Sequence, residues 1–487
     1  MTVGLTSCPP EVIGGIVSLL DLTDVGSLRL ASRCLRAKAT QSQFRSRFRS
    51  KRVKVTGPGL ERLAVVTQNG WLGCEISDLT LVGVVHNIED LEEAVLATPD
   101  DPRKTDLETL QERQRSYEQL LESGKLAQIL RKAFKNIATN NSTGKLISLS
   151  LELIVYLTNA QDELAPLAGG PWRPIWKIAA ETARLVFSAL RDSNLRIDHL
   201  TIFNSAGLHR CSIAGNKLSS LDYAIEGLVI PLHSLQSLSI SVSERVLDVK
   251  LDDLLDDDSE YEVTSEDEDQ AREEATRKAN DERNFTGLAS LIHACKNLKY
   301  LDIHHCRANL GYPFAKIPNE RLFQRMAALD SLPQLEGCGL RGVWLTEDDL
   351  LAFLRRVSSS LRRFEMETVT MTSGTFESIF ELLTAANTSA DSNTDAVDAA
   401  VPFPNLQYLY FDTLRVGKGL VFFTGVGEPR YPTYNWEPAH GGNTLSRKGN
   451  AEVKKPIAFH VPNDSGPVGS PFYQQWLQDQ KRKYGHP

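Results

Sequence analysis

The chain has 487 residues, 41% of them hydrophobic and 24% charged, an ordinary globular balance with room for about two to four domains or one repeat array. No apolar run approaches the roughly 18 residues of a membrane-spanning helix, so a membrane partner is not expected. The formal charge is −8. Seven cysteines, an odd count with no C-x-x-C pair, are too few for a disulfide scaffold and point to reduced thiols in a cytoplasmic or nuclear protein. Met1 to Pro10 lacks a basic n-region and an apolar h-region, so no secretory signal is expected.

The first 40 residues predict three short helices. Pro9 and Pro10 suit a helix start, where a missing N–H costs little, and Glu11 favours the first turn. Val12, Ile13, Ile16, Val17 and Leu20 make a broad apolar face. Gly14 and Gly15 each cost about 1 kcal/mol in a helix, so packing must hold this one. Asp21 and Asp24 offer caps for a second helix, continued by Val25, Leu28 and Leu30. A third, basic helix starts near Ser32. Residues 29–54 carry ten Lys or Arg and no acid. Phe44 and Phe48 stand four apart and share a helix face, which turns the arginines between them outward. No helix-turn-helix, zinc-finger or RNA-binding signature accompanies the charge. The block therefore reads as a solvated face, suited to an acidic protein rather than to nucleic acid.

The segment CPPEVIGGIVSLLDLTDVGSLRLASRCLRA, from Cys8 to Ala37, resembles the F-box. That pattern runs L-P-x-E-[LIV]-[LIV], an apolar helix, L-D-x-x-D-L, then L-x-x-V-S-x-x-W. Pro9, Glu11, Val12, Ile13, Ile16, Val17, Leu20, Asp21, Asp24, Val25, Leu28 and Ser32 fall on matching positions. Cys8, Ala31 and Leu35 stand where Leu, Val and Trp are usual, a loss of apolar volume that predicts lower affinity for the adaptor. The resemblance implies docking on a Skp-type adaptor and, through it, on a cullin–RING ubiquitin ligase. It implies adaptor contacts from Pro9, Glu11, Val12, Ile13, Ile16, Leu20, Val25 and Leu28, some of which must instead form the unit's own core.

Further on, LKYLDIHHC (Leu298, Leu301, Ile303, Cys306) fits the leucine-rich-repeat strand L-x-x-L-x-L-x-x-[NC]. Seven looser copies share its offsets. They are Ile76/Leu79/Leu81, Leu146/Leu149/Leu151, Ile197/Leu200/Ile202, Leu235/Leu238/Ile240, Leu335/Cys338/Leu340, Leu361/Phe364/Met366 and Leu406/Leu409/Phe411. Their spacing is too irregular for a standard repeat. Helices such as Phe285 to Cys295 and Glu347 to Val357 fill the intervals, while the polar stretch from Asp101 to Lys135 reads as an insertion or an enlarged repeat helix. Stacking of such units buries apolar residues that no single unit can bury. An F-box followed by an irregular leucine-rich array is similar to F-box proteins of filamentous fungi.

Residues 252–274 hold 13 acids and one base, a density that resists compaction and predicts a disordered insert. Ser259, Thr264 and Ser265 each have an acid three residues on, which suits phosphorylation by acidophilic kinases. From Gly425 eight prolines punctuate the chain, yet Tyr431, Tyr434, Trp436, Phe472, Tyr473 and Trp476 are too aromatic for a solvated tail. A short helix is expected from Pro471 to about Lys483. The predicted fold is thus α/β. A three-helix F-box spans 1–55. An irregular leucine-rich-repeat-like solenoid with a curved parallel sheet spans 56–424, interrupted by the acidic insert at about 247–284. A loop-rich segment, 425–487, packs on the last repeat.

Little in the sequence suggests chemistry. His293, Cys295, His304, His305 and Cys306 are metal-capable, but their spacing matches no zinc pattern, and they read as structural. The glycines around Gly417 and Gly425 lack the P-loop lysine, and there is no G-x-S-x-G or H-E-x-x-H. No cofactor or metal is expected. The expectation is a non-catalytic receptor for an unidentified substrate protein. The alternative is an interaction scaffold without a ubiquitin-ligase link, its N-terminal helices merely capping the array.

Overall fold

The computed structural model describes residues 4–68, 73–86, 88, 91–92, 95–96, 103–156, 172–205, 211–243, 273, 277–278, 280–306, 320–385, 402–417, 419–427 and 441–461. Four helices come first: α1 (Pro10–Leu19), α2 (Leu22–Ala31), α3 (Arg33–Ala39) and α4 (Ser42–Ser46). Pro9 caps α1 and Pro10 opens it. The Asp21 carboxylate accepts the Asp24 N–H at 2.7 Å, and the Ser32 hydroxyl accepts the Leu35 N–H at 3.1 Å. These caps satisfy donors that a helix start leaves orphaned, and they let the chain reverse within two residues. Ile13, Val17, Val25, Leu35, Ala39 and Phe44 close into a core of their own.

The strands of the main sheet follow: β1 (Ser50–Lys54), β2 (Asp78–His86), β3 (Lys145–Tyr156), β4 (Arg196–Ile202), β5 (Ile213–Ala214), β6 (Ser237–Ser243), β7 (Tyr300–His305) and β8 (Gly337–Arg341). After β9 (Trp344–Thr346) come β10 (Arg363–Glu367), β11 (Thr370–Ser373), β12 (Tyr408–Asp412), β13 (Arg415–Val416), β14 (Gly419–Leu420), β15 (Phe422–Phe423), β16 (Thr444–Lys448) and β17 (Phe459–His460). The large sheet runs β1-β2-β3-β4-β6-β7-β8-β10-β12-β16, with β5 beside β6. Its pairs are parallel except β12 with β16, which are antiparallel. The protein is therefore mixed α/β with a large, mostly parallel sheet.

The second and third members of all eight leucine triplets lie on this sheet, and the register aligns them. One row runs Leu79, Leu149, Leu200, Leu238, Leu301, Cys338, Phe364, Leu409 across adjacent strands. The next runs Leu81, Leu151, Ile202, Ile240, Ile303, Leu340, Met366, Phe411. Side chains two apart share a face, so both rows point inward and are buried. Helices cover this face with their own apolar stripes, among them α5 (Gly57–Gln68), α6 (Lys104–Glu122), α7 (Lys125–Asn140), α8 (Trp172–Arg191), α9 (Gly215–Ser219), α10 (Glu226–Ser234), α11 (Arg283–Ala294), α12 (Arg321–Ala327), α13 (Glu347–Val357) and α14 (Glu377–Thr384). One continuous core results, from Val55 to Val453.

Successive strands end alike. Gly342, Thr368 and Thr413 follow β8, β10 and β12 with φ of 68°, 55° and 52°. Each still donates its N–H onward, to Glu367, Asp412 and Asn443. A left-handed residue bends the chain without orphaning a donor, at a conformational cost for the two threonines. The bends lead into β9, β11 and β13, which pair as a smaller sheet with β14 at its edge.

Several expectations change. β1 belongs to the large sheet, so the helical unit ends before Ser50 rather than at 55. The acidic insert does not reach 284: α11 starts at Arg283, with Asn284 and Phe285 buried. Of the two readings of 101–135, an insertion or an enlarged repeat helix, the insertion is the one that changes. Helix α7 buries Leu126, Leu130, Ala133, Phe134 and Ile137 in the main core. Near the start of α6, Leu107 and Leu110 cover the other face, against Val82, Val84, Ile154 and Tyr156. The sheet is not wholly parallel, because β16 returns along β12 and adds Leu445 to the core. Ser259, Thr264, Ser265 and the helix expected at 471–483 lie outside the described residues.

Candidate protein-interaction surfaces

Two surfaces stand out, one on the helical unit and one on the sheet. On the unit, the eight expected adaptor contacts divide by burial. Pro9 and Glu11 are exposed, and Val12 is 49% exposed. Ile13 and Val25 are fully buried and cannot touch a partner, which corrects their assignment. Ile16, Leu20 and Leu28 are half-buried and pack against the small core. Leu19, which the pattern did not single out, is 88% exposed and stands seven residues from Val12, on the same side of α1. Leu30 is 89% exposed on α2.

On the sheet, the residues between the leucines face away from the core. One such row is Thr80, Ser150, Thr201, Ser239, Asp302, Gly339, Glu365, Tyr410. Its middle is locked by hydrogen bonds. Asp302 Oδ2 accepts from the Arg341 guanidinium at 2.7 Å and from Asn204 Nδ2 and Ser239 Oγ at 3.1 Å each. Arg341 also donates to Asn204 Oδ1 at 2.9 Å. Gly339 makes room: a Cβ there would lie 2.9 Å from Asp302 Oδ1. Towards β12 the face turns acidic and aromatic. Tyr410 is half-buried among Asp412, Glu367 and Glu365; burial first, then these carboxylates, push its phenol up to about 12. At the opposite edge stand Arg52, paired with Glu152 at 3.2 Å, and Lys54, whose ammonium lies 5.2 Å from the Tyr156 ring.

The protein has no family model that matches it and no curated protein that matches it.

The metal-capable residues scatter. Cys295, His304, His305 and Cys306 are buried while His293 is exposed, and no group of three or more metal ligands forms among the described residues. Ser241 Oγ and His304 Nδ1 are 3.0 Å apart, but Ser241 is fully buried, beyond reach of a substrate. Burial pushes the Cys295 thiol up to about 12 and raises Cys211 and Cys338 as well, so these sulfurs stay protonated and poorly nucleophilic. No helix among the described residues is long and apolar enough to cross a membrane. The described residues present an apolar stripe on α1 and a broad polar face on the sheet. The polar row was legible in principle, since it lies inside every L-x-L.

Proposed function

We propose that the chain is the substrate-recognition subunit of a Skp-adaptor/cullin/F-box ubiquitin ligase. In this reading α1–α3 are an F-box that docks the Skp-type adaptor. The sheet is an irregular leucine-rich-repeat-like solenoid whose polar face holds a substrate protein, and other subunits transfer ubiquitin. One observation carries the reading: the N-terminal core closes on six side chains of its own and leaves Val12 and Leu19 outside. Apolar side chains that a unit's core does not use favour a partner. Pro9, Glu11, Val12 and Leu19 become the adaptor contacts; Ile16, Leu20 and Leu28 support them from below.

The test is a calorimetric titration of the full chain with a purified Skp-type adaptor, beside Val12→Asp/Leu19→Asp. Both positions are exposed, so the variant keeps its fold. One-to-one binding weakened at least hundredfold in the variant supports the reading. Equal binding by the variant, or none by folded wild type, sinks it.

A further inference from the structure

Ten basic residues crowd positions 29–54, and seven have structural work. The Arg29 guanidinium lies 4.4 Å over the Phe44 ring. Lys38 donates to the Thr6 and Cys8 carbonyls at 2.8 Å. Arg47 donates to the Val17 carbonyl at the end of α1 at 2.5 Å. Arg45 pairs with Glu75 at 3.2 Å, and Lys51 lies 4.7 Å over the Phe48 ring. Arg52 pairs with Glu152, and Lys54 donates to the Tyr156 hydroxyl.

Arg33, Arg36 and Arg49 remain. Among the described residues none of the three has an ion pair or a side-chain hydrogen bond. All three line one cavity of about 730 Å³ beside α3, α4 and the Gly73–Glu75 turn. Among the described residues the only acid lining it is Glu75, already paired with Arg45. We propose that this cavity is a binding site for a phosphoryl group.

The argument is one of charge and shape. Three exposed guanidiniums around one space repel each other only weakly through water, and an anion placed between them is attracted by all three. Each presents a planar fork that pairs with oxygen anions in twos. A carboxylate has two oxygens and satisfies one fork. A phosphate has three or four in a tetrahedral array and serves several forks at once. The space is open to solvent, so it admits a phosphoryl group whether free or carried on a larger molecule. All three arginines are exposed, so binding is salt-sensitive. This inference does not depend on the adaptor reading.

The probe is pyrophosphate, titrated calorimetrically into the full chain at low salt, with Arg33→Gln/Arg36→Gln and Arg52→Gln alongside. Expected are one-to-one binding to wild type, at least a tenfold loss in the double variant, and wild-type affinity for Arg52→Gln. Thermal unfolding of the double variant should match wild type. Equal affinity in the double variant overturns the site; so does an equal loss in Arg52→Gln, which would mean diffuse attraction. Competition by a serine-phosphorylated peptide, absent for the same peptide without phosphate, assigns the group to a protein partner. Pyrophosphate binding without such competition assigns it to a small molecule. A single-stranded oligonucleotide that binds more tightly and depends on the same arginines overturns the compact phosphoryl ligand.

Discussion

Replacing Phe44 by Ala should unfold the helical unit and spare the sheet. Phe44 is almost wholly buried in the six-residue core. Its ring meets Phe48 edge to face at 5.0 Å and carries the Arg29 guanidinium at 4.4 Å. Truncating a buried Phe to Ala costs about 3–5 kcal/mol. Within that sum the aromatic pair supplies about 0.5–1.5 and the cation–π contact about 0.5–1. A core this small gives a net stability of about 3–5 kcal/mol at most, so the substitution erases it. The link to the sheet is slight: an exposed Arg45–Glu75 pair, the Lys51 ammonium over the Phe48 ring, and the Ser77 and Asp78 N–H groups on the Arg49 carbonyl at 2.9 Å. An exposed pair is worth about 0–1 kcal/mol. Hydrogen exchange read by mass spectrometry checks this. Protection should vanish in residues 10–46 and stay within about twofold in 337–367, because opening is local. A matching loss in 337–367 would refute the reasoning. The two cores would then melt as one, as a capping role for the helices requires.

A double-mutant cycle on Asp302→Ala and Arg341→Ala should give a coupling of about 1 kcal/mol in urea unfolding, since the pair is short but each side chain is about a third exposed; a coupling near zero would show that the network does not form in solution. Gly287→Ala should cost more than about 2 kcal/mol by the same assay, because the new Cβ would lie 2.4 Å from the Ser219 backbone nitrogen, where nothing can yield; wild-type stability would disprove the close α9–α11 contact. Burial, then Arg113, lowers His86 to about 4. The unfolded chain binds that proton first, so stability is full above about pH 6.5 and falls by about 2–3 kcal/mol as pH drops towards 4. His86→Leu should flatten that stretch of the pH profile, and an unchanged slope would exonerate His86.

Sequence made the strands legible because L-x-L fixes two inward positions at a spacing only a strand satisfies. It was silent on β16, whose Leu445 is its one core residue and whose antiparallel direction comes from pairing with β12. Helix α8 carries Ile175, Ala179, Ala183, Val186 and Leu190 at helical spacing, all buried, a signal to which a strand template is blind. The adaptor surface was harder. Val12 and Ile13 are chain neighbours with opposite fates, because an apolar face that broad does not say which side α2–α4 will occupy. Asn204 meets Asp302 only because the register sets β4, β6 and β7 side by side. Nothing local predicts a contact across 98 positions.

The division of labour across the sheet explains how such a surface can specialise. The inward rows fix the register, because a slip of one residue would expose every leucine. Outward residues are then held in rows whose identity costs the core nothing. Here those rows carry mostly paired charges: Arg52 with Glu152, Asp302 with Arg341 and Glu365 with Arg363, around a neutral Ser and Thr centre. Each pair spends its charges on itself, so little net field is left over these positions to steer a partner. What distinguishes one arrangement of such rows from another is then the placement of hydrogen-bonding groups and side-chain shape, both of which the register of the core holds in place.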